Sequence, residues 1–304
     1  MTRGEQAGFT WPPVEAGGSG SAVAWDAHPA PAPITLDDLL GGRREPGRVR
    51  QALHEVERVW LGFGSRAVGE RLRTSGWAPP PACWRCGGVV GAHEVDGEGC
   101  ATCRPVRTPW DRFVRLGLYD GVLREAVLEL KQTAWRRIGG ELGAMMGRRL
   151  AIELDRLDID RRRVVVTPIP TTHRRRLARG VDHTLVLARA AADAGGVRLA
   201  RVLTREHRPR QTGLSASDRL KNVRKTFGLR RDLPPDAAVI VVLDDVRTTG
   251  ATLGAACRAL KGIGGDRRAG VWACVAAVGD DRRTPGTQEP GSLKTGVEEH
   301  ACLD

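Results

Sequence analysis

Aromatic residues are scarce in this chain. Phe, Trp and Tyr together make up 4% of 304 residues, with a single tyrosine. That leaves little for a platform that stacks successive nucleobases, and the rings present lie mostly outside the most basic stretch. Long apolar runs are missing too. The longest, Val271–Val278, has eight residues, against the ~20 of a membrane-spanning helix, so no membrane insertion is expected. Met1–Thr10 carries Arg3 and Glu5 and no apolar segment, so no secretory leader is expected there. Lysine is nearly absent: five of 48 basic residues, the rest being arginine. Acidic residues number 36, which leaves a formal net charge of +12. The excess is concentrated in residues 161–231, with 19 basic and four acidic side chains. Such density suits phosphates, pyrophosphate or a polynucleotide; the other reading is a solvated face.

What is present begins with cysteine. Four of the seven are clustered as Cys83-x2-Cys86-x13-Cys100-x2-Cys103. Four thiolates on two tight turns can close a tetrahedron around Zn²⁺ and leave no open position, which makes the site structural. A redox dithiol would need one pair, not two within so short a span. His93 lies between the pairs and is expected on an exposed loop. The odd count and the absence of a leader point to reduced thiols and a cytoplasmic protein.

The texture of the chain divides it into five segments. Residues 1–34, rich in Gly, Ala, Pro and Ser, are expected to be disordered. Residues 35–77 read as helical, with Thr35 and Asp38 as a capping pair and Val49, Leu53, Val56, Trp60 and Phe63 at helical spacing. The ribbon occupies residues 78–108. From 109 to 279, short apolar strands (112–119, 164–167, 238–243, 271–278) alternate with amphipathic helices. Residues 204–217 read as a polar loop, and Gly262 as the stop of a helix over 251–261. The polar tail 280–304 is expected to be disordered. Strands alternating with helices predict an α/β fold: a parallel sheet flanked by helices.

Val239-Ile240-Val241-Val242-Leu243-Asp244-Asp245-Val246-Arg247-Thr248-Thr249-Gly250-Ala251-Thr252 is the most informative stretch. An apolar strand runs into two carboxylates, then into a Thr/Gly loop that enters a helix. Backbone N–H groups at a helix start bind phosphate. Thr248, Thr249 and Thr252 add hydroxyl donors, and Gly250 lets the main chain come close. Asp244 and Asp245 at a strand's carboxyl end can accept hydrogen bonds from a sugar diol and help position Mg²⁺. A plain strand–loop–helix junction would not need this ordered string.

In this form the string resembles the type I phosphoribosyltransferase signature for 5-phosphoribosyl 1-pyrophosphate (PRPP). With the cysteine ribbon ahead of it, the chain is more narrowly similar to the ComF/GntX-type branch. Tyr119-Asp120-Gly121 through Lys131, Pro168-Ile169-Pro170, Arg174-Arg175-Arg176-Leu177-Ala178-Arg179-Gly180 and Gln211-x-Gly213-Leu214-Ser215 also match. The resemblance implies a 5-phosphate cradle at Thr248, Thr249, Gly250, Ala251 and Thr252. It implies ribose contacts and the catalytic role at Asp244 and Asp245. Pyrophosphate would be held by Pro170, Thr171, Arg174, Arg175, Arg176, Arg179 and Lys131; for Lys131 a helix C-cap is the competing reading. The implied chemistry is Mg²⁺-dependent displacement of pyrophosphate by a nucleobase or amine acceptor. The alternative for this branch is an accessory role in natural competence on single-stranded DNA, with PRPP as a regulatory ligand or absent. Where the branch has Gly-Phe-Asn-Gln, this chain has Gly180-Val181-Asp182-His183. Asp182 remains a good helix N-cap. For His183, a satisfied structural histidine and a general base are both open.

Overall fold

The computed structural model describes residues 33–41, 67–91, 93–131, 135–171, 182–205, 226–230, 233–263 and 269–279. In chain order these form α1 (Leu36–Leu40), α2 (Val68–Thr74), β1 (Val95–Asp96), β2 (Gly99–Cys100), β3 (Arg112–Leu118), α3 (Gly121–Leu130) and α4 (Trp135–Arg156). Then follow β4 (Val164–Pro168), α5 (His183–Gly195), β5 (Arg198–Leu199), β6 (Leu203–Arg205), β7 (Phe227–Leu229), β8 (Val239–Arg247), α6 (Ala251–Ile263) and β9 (Gly270–Val278).

Strand periodicity builds the layers. In β8, Val239, Val241 and Leu243 enter one core while Ile240 and Val242 enter the other; in β9, Trp272, Cys274 and Ala276 alternate likewise with Val271, Ala273 and Val275. A strand apolar on both sides must be covered on both sides. The sheet is five-stranded, in the order β3-β9-β8-β4-β5, and every pairing is parallel. Residues of α3, α4 and α5 fill the first core, with Leu39 of α1 and Leu72 of α2 packed among them. The second core is closed by Leu253, Ala256 and Leu260 of α6 with Leu203 and Phe227 of the antiparallel β6–β7 pair.

Helix α4 meets α5 backbone to backbone. A Cβ on Gly143 would lie 2.5 Å from the Leu187 carbonyl oxygen, and one on Gly147 would overlap the Ala191 carbonyl. Helix α5 stops at Gly196, whose φ of 65° is left-handed, a conformation that suits a residue without Cβ. At the sheet edge, Glu153 of α4 is buried and ion-paired to Arg112 of β3, Arg149 and Arg156. The Arg112 guanidinium also lies over the rings of Trp84 and Trp272, 5.5 and 5.7 Å from their centroids.

Several boundaries differ from the sequence expectation. β8 does not end at Leu243 but continues through both carboxylates to Arg247, because Asp244, Val246 and Arg247 keep their register with Val275, Ala277 and Val278 of β9. Helix α6 passes through Gly262. Thr204 and Arg205, expected in a loop, pair with Gly228 and Phe227. The Thr35–Asp38 capping box is formed. The helical spacing of Val49–Phe63, the termini expected to be disordered (apart from residues 33 and 34) and most of the polar loop lie outside the described residues. No helix among the described residues is long and apolar enough to cross a membrane.

Candidate functional site

The chain leaves β4 through α5 to β5 on one side and leaves β8 through α6 to β9 on the other. β4 and β8 are neighbours, so the strand order reverses between them. Ligands of open α/β sheets bind at such a point, beyond the carboxyl ends of the diverging strands. Pro168 stands opposite Leu243 in the register, and the Ile169 N–H donates to the Leu243 carbonyl at 2.9 Å. The chain beyond β4, Pro170 and Thr171, therefore starts beside Asp244 and Asp245.

Asp245 is 7% exposed. Its Oδ2 lies 2.9 Å from Lys131 Nζ at the end of α3 and 3.5 Å from His183 Nε2 at the start of α5. Its Oδ1 accepts the Val246 N–H at 2.8 Å. Burial alone would raise its pKa; His183 and Lys131 outweigh that and hold the carboxyl well below the usual carboxylate range. Asp244 goes the other way. Burial first, and then the adjacent Asp245 charge, push its pKa well up. The pair thus combines an ionised carboxylate tied to the frame with a neighbour that resists ionisation until a cation or hydrogen-bond donor arrives.

A hydroxyl network ties the chain beyond β4 to the start of α5. Thr171 Oγ1 donates to Asp182 Oδ1 at 2.8 Å, and Thr184 Oγ1 donates to the Ile169 carbonyl at 2.9 Å. Asp182 Oδ1 also caps α5 by accepting the Leu185 N–H at 3.4 Å. Beyond β8, Thr248 and Thr249 are exposed. Gly250 has φ 72°, which turns the chain into α6 with its first-turn N–H groups unpaired within the helix. Thr249 Oγ1 accepts the Ala251 N–H at 3.4 Å.

The structure thus brings Lys131, Asp244 and Asp245 together. It starts the Thr248–Thr252 turn where β8 ends and places Pro170 and Thr171 at the end of the adjacent strand. Arg174, Arg175, Arg176 and Arg179 lie outside the described residues. Both readings of Lys131 meet in one residue: it is the C-cap of α3 and it reaches into the site. His183 is not a fully satisfied core histidine, since Nδ1 is buried with no hydrogen-bond partner among the described residues. Sequence reading named His183 but not its contact with Asp245; no local pattern encodes a pairing between distant segments.

The second cluster is formed by Cys83, Cys86, Cys100 and Cys103, whose sulfurs all lie within 4.8 Å of one another. Three of the sulfur–sulfur edges measure 3.6–3.7 Å. Zinc–sulfur bonds of ~2.3 Å at tetrahedral angles require edges of about 3.8 Å, so the cluster fits such an ion. The Cys100 N–H donates to Cys83 Sγ and the Gly88 N–H to Cys86 Sγ, each at 3.4 Å. These thiols compete for ionisation. Cys83 is drawn down to about 4, first by the hydrogen bond with Cys86, while Cys86 is pushed up by Cys83 and by burial. Cys103 is pushed up to about 11, mainly by burial. A bound cation removes that competition. His93 is exposed and outside the cluster.

The ribbon is joined to the sheet edge. The Phe113 N–H donates to the Trp84 carbonyl at 2.7 Å, and Trp110 Nε1 donates to the Arg85 carbonyl at 2.8 Å. Comparison with protein-family models finds no match, and comparison with curated proteins finds none.

Proposed function

We propose that this chain is a PRPP-binding, phosphoribosyltransferase-like protein of the ComF type, acting by Mg²⁺-dependent phosphoribosyl transfer. The observation that carries the reading is the acid pair near the end of one strand, with the Thr/Gly turn following it, at the switch point of a parallel sheet. The N–H groups of the Gly250–Thr252 turn and the hydroxyls of Thr248, Thr249 and Thr252 would hold the 5-phosphate. Asp244 would accept the ribose hydroxyls, with Asp245 fixed behind it by Lys131 and His183. Pro170 and Thr171 open the segment that would hold pyrophosphate, and Lys131 is near enough to exchange its carboxylate for a phosphate oxygen. A nitrogen nucleophile then attacks C1 as the C1–oxygen bond to pyrophosphate breaks. The electron pair leaves with pyrophosphate, and the nucleophile's proton passes to a base or to water. Asp244 and Asp245 would help hold Mg²⁺ beside PRPP, and the ion would supply charge that offsets the departing pyrophosphate.

Calorimetry on the zinc-loaded protein tests this. Saturable PRPP binding that needs Mg²⁺ and disappears in Asp244→Asn/Asp245→Asn is the expected result. Pyrophosphate release across a panel of nucleobases and amines then separates a transferase from a PRPP sensor. No PRPP binding, with salt-sensitive affinity for single-stranded DNA that survives the double substitution, would overturn the proposal. Among the described residues the only large hydrophobic side chain that is exposed is Val106.

A further inference from the structure

Arg115 is the least expected side chain in the sheet. β3 places it between Val114 and Leu116, and it is 3% exposed. Its Nε donates to the Gly87 carbonyl at 2.6 Å and one terminal nitrogen donates to the Pro81 carbonyl at 3.3 Å. The other terminal nitrogen, also buried, has no partner among the described residues. No carboxylate pairs with it there either. A buried guanidinium satisfied only by carbonyls is unfavourable. Arg149 and Arg247, both nearby, add repulsion, which Cys86 and the more distant Asp120 carboxylate offset only in part.

What Arg115 faces is the first knuckle of the cysteine cluster. Gly87 and Pro81 flank Cys83 and Cys86, and the Gly87 N–H itself donates to the Cys83 carbonyl at 2.8 Å. Four thiolates around a divalent ion carry a net charge of about −2, the difference between ligand and ion charges. The other arginines at the ribbon, Arg85, Arg104 and Arg107, are less buried; Arg85 spans the Glu98 and Val106 carbonyls, and Arg104 pairs with Asp96. Of the four, only Arg115 is shielded from solvent.

We propose that Arg115 is the buried counter-charge of a zinc-loaded four-cysteine centre, so that metal occupancy holds the ribbon against β3 and thereby sets the order of the sheet edge. The coupling is reciprocal. Whatever the loaded centre contributes to burying Arg115, Arg115 contributes to metal affinity. This inference does not depend on the phosphoribosyl reading.

The test uses the full chain. Zinc affinity is measured by competition with a chromophoric chelator for the wild type, Arg115→Met and Arg115→Lys. Amide exchange in β3 is followed with and without chelator. Arg115→Met should weaken zinc binding about tenfold or more, and Arg115→Lys should recover most of that loss. Chelation of the wild type should speed exchange in β3 while β4 and α5 stay protected. Unchanged zinc affinity in Arg115→Met would overturn the proposal. So would equal loss in Met and Lys variants, which would make Arg115 only a prop for the carbonyls. If Arg115→Met does not fold, the wild-type experiment decides: β3 protection indifferent to zinc sinks the idea.

Discussion

Lys131 and His183 approach the same oxygen of Asp245 from two helices on the same face of the sheet. Asp245→Asn removes that anchor. Lys131 is partly exposed and can turn to water but His183 is buried, so the stability cost should lie between that of a surface pair and a buried one, about 2 kcal/mol, read as a shift in the urea midpoint, whereas PRPP binding should be lost. Glu153 is a different case. Burial would raise its pKa, but Arg112 and Arg149 bring it down to about 2 from an ordinary 4.5. A depressed folded pKa means that the stabilisation is complete above the unfolded value and is lost as pH falls from about 4.5 towards 2. Glu153→Gln should cost about 3 kcal/mol near neutral pH and should flatten the acid limb of stability against pH, both measurable by urea unfolding. The pattern of Val239–Asp245 made a strand and an acid pair legible from sequence. The partners of Asp245 were not, because they come from segments distant in the chain.

Among the elements, α4 and α5 make the tightest contact. At Gly143, Gly147 and Gly195 the two backbones meet, with the small side chain of Ala190 beside them. Gly147→Val should therefore lower stability by about 2–3 kcal/mol, while Gly262→Ala, at an open position near the end of α6, should be neutral or slightly stabilising. Parallel denaturant curves check both. The helical period of α4 was visible as Ile138, Leu142, Met145, Met146 and Leu150, but a glycine that admits a neighbouring backbone looks like any other glycine in sequence. β6 and β7 escaped notice for a related reason. Each has three residues, and their pairing spans a long stretch of chain, so neither shows enough alternation to stand out.

For the whole molecule, one sheet separates two cores, and the cysteine ribbon is bonded to its edge strand. With zinc bound, tryptophan fluorescence and far-UV circular dichroism should report one coincident unfolding transition; chelation should pull the two signals apart. The layered α/β architecture was legible because short apolar strands alternate with amphipathic helices. The strand order was not, since pairing β3 with β9 joins the first and last strands of the sheet, a relation that no local spacing records. The bare seam between α4 and α5 has a mechanical result. Leu187 rests on it one turn, about 6 Å, from His183 beside Asp245. With main chain against main chain at Gly143 and Gly147, close packing resists a slide of α5 along α4, so movement at the His183 end should come as a tilt of the rod about that seam.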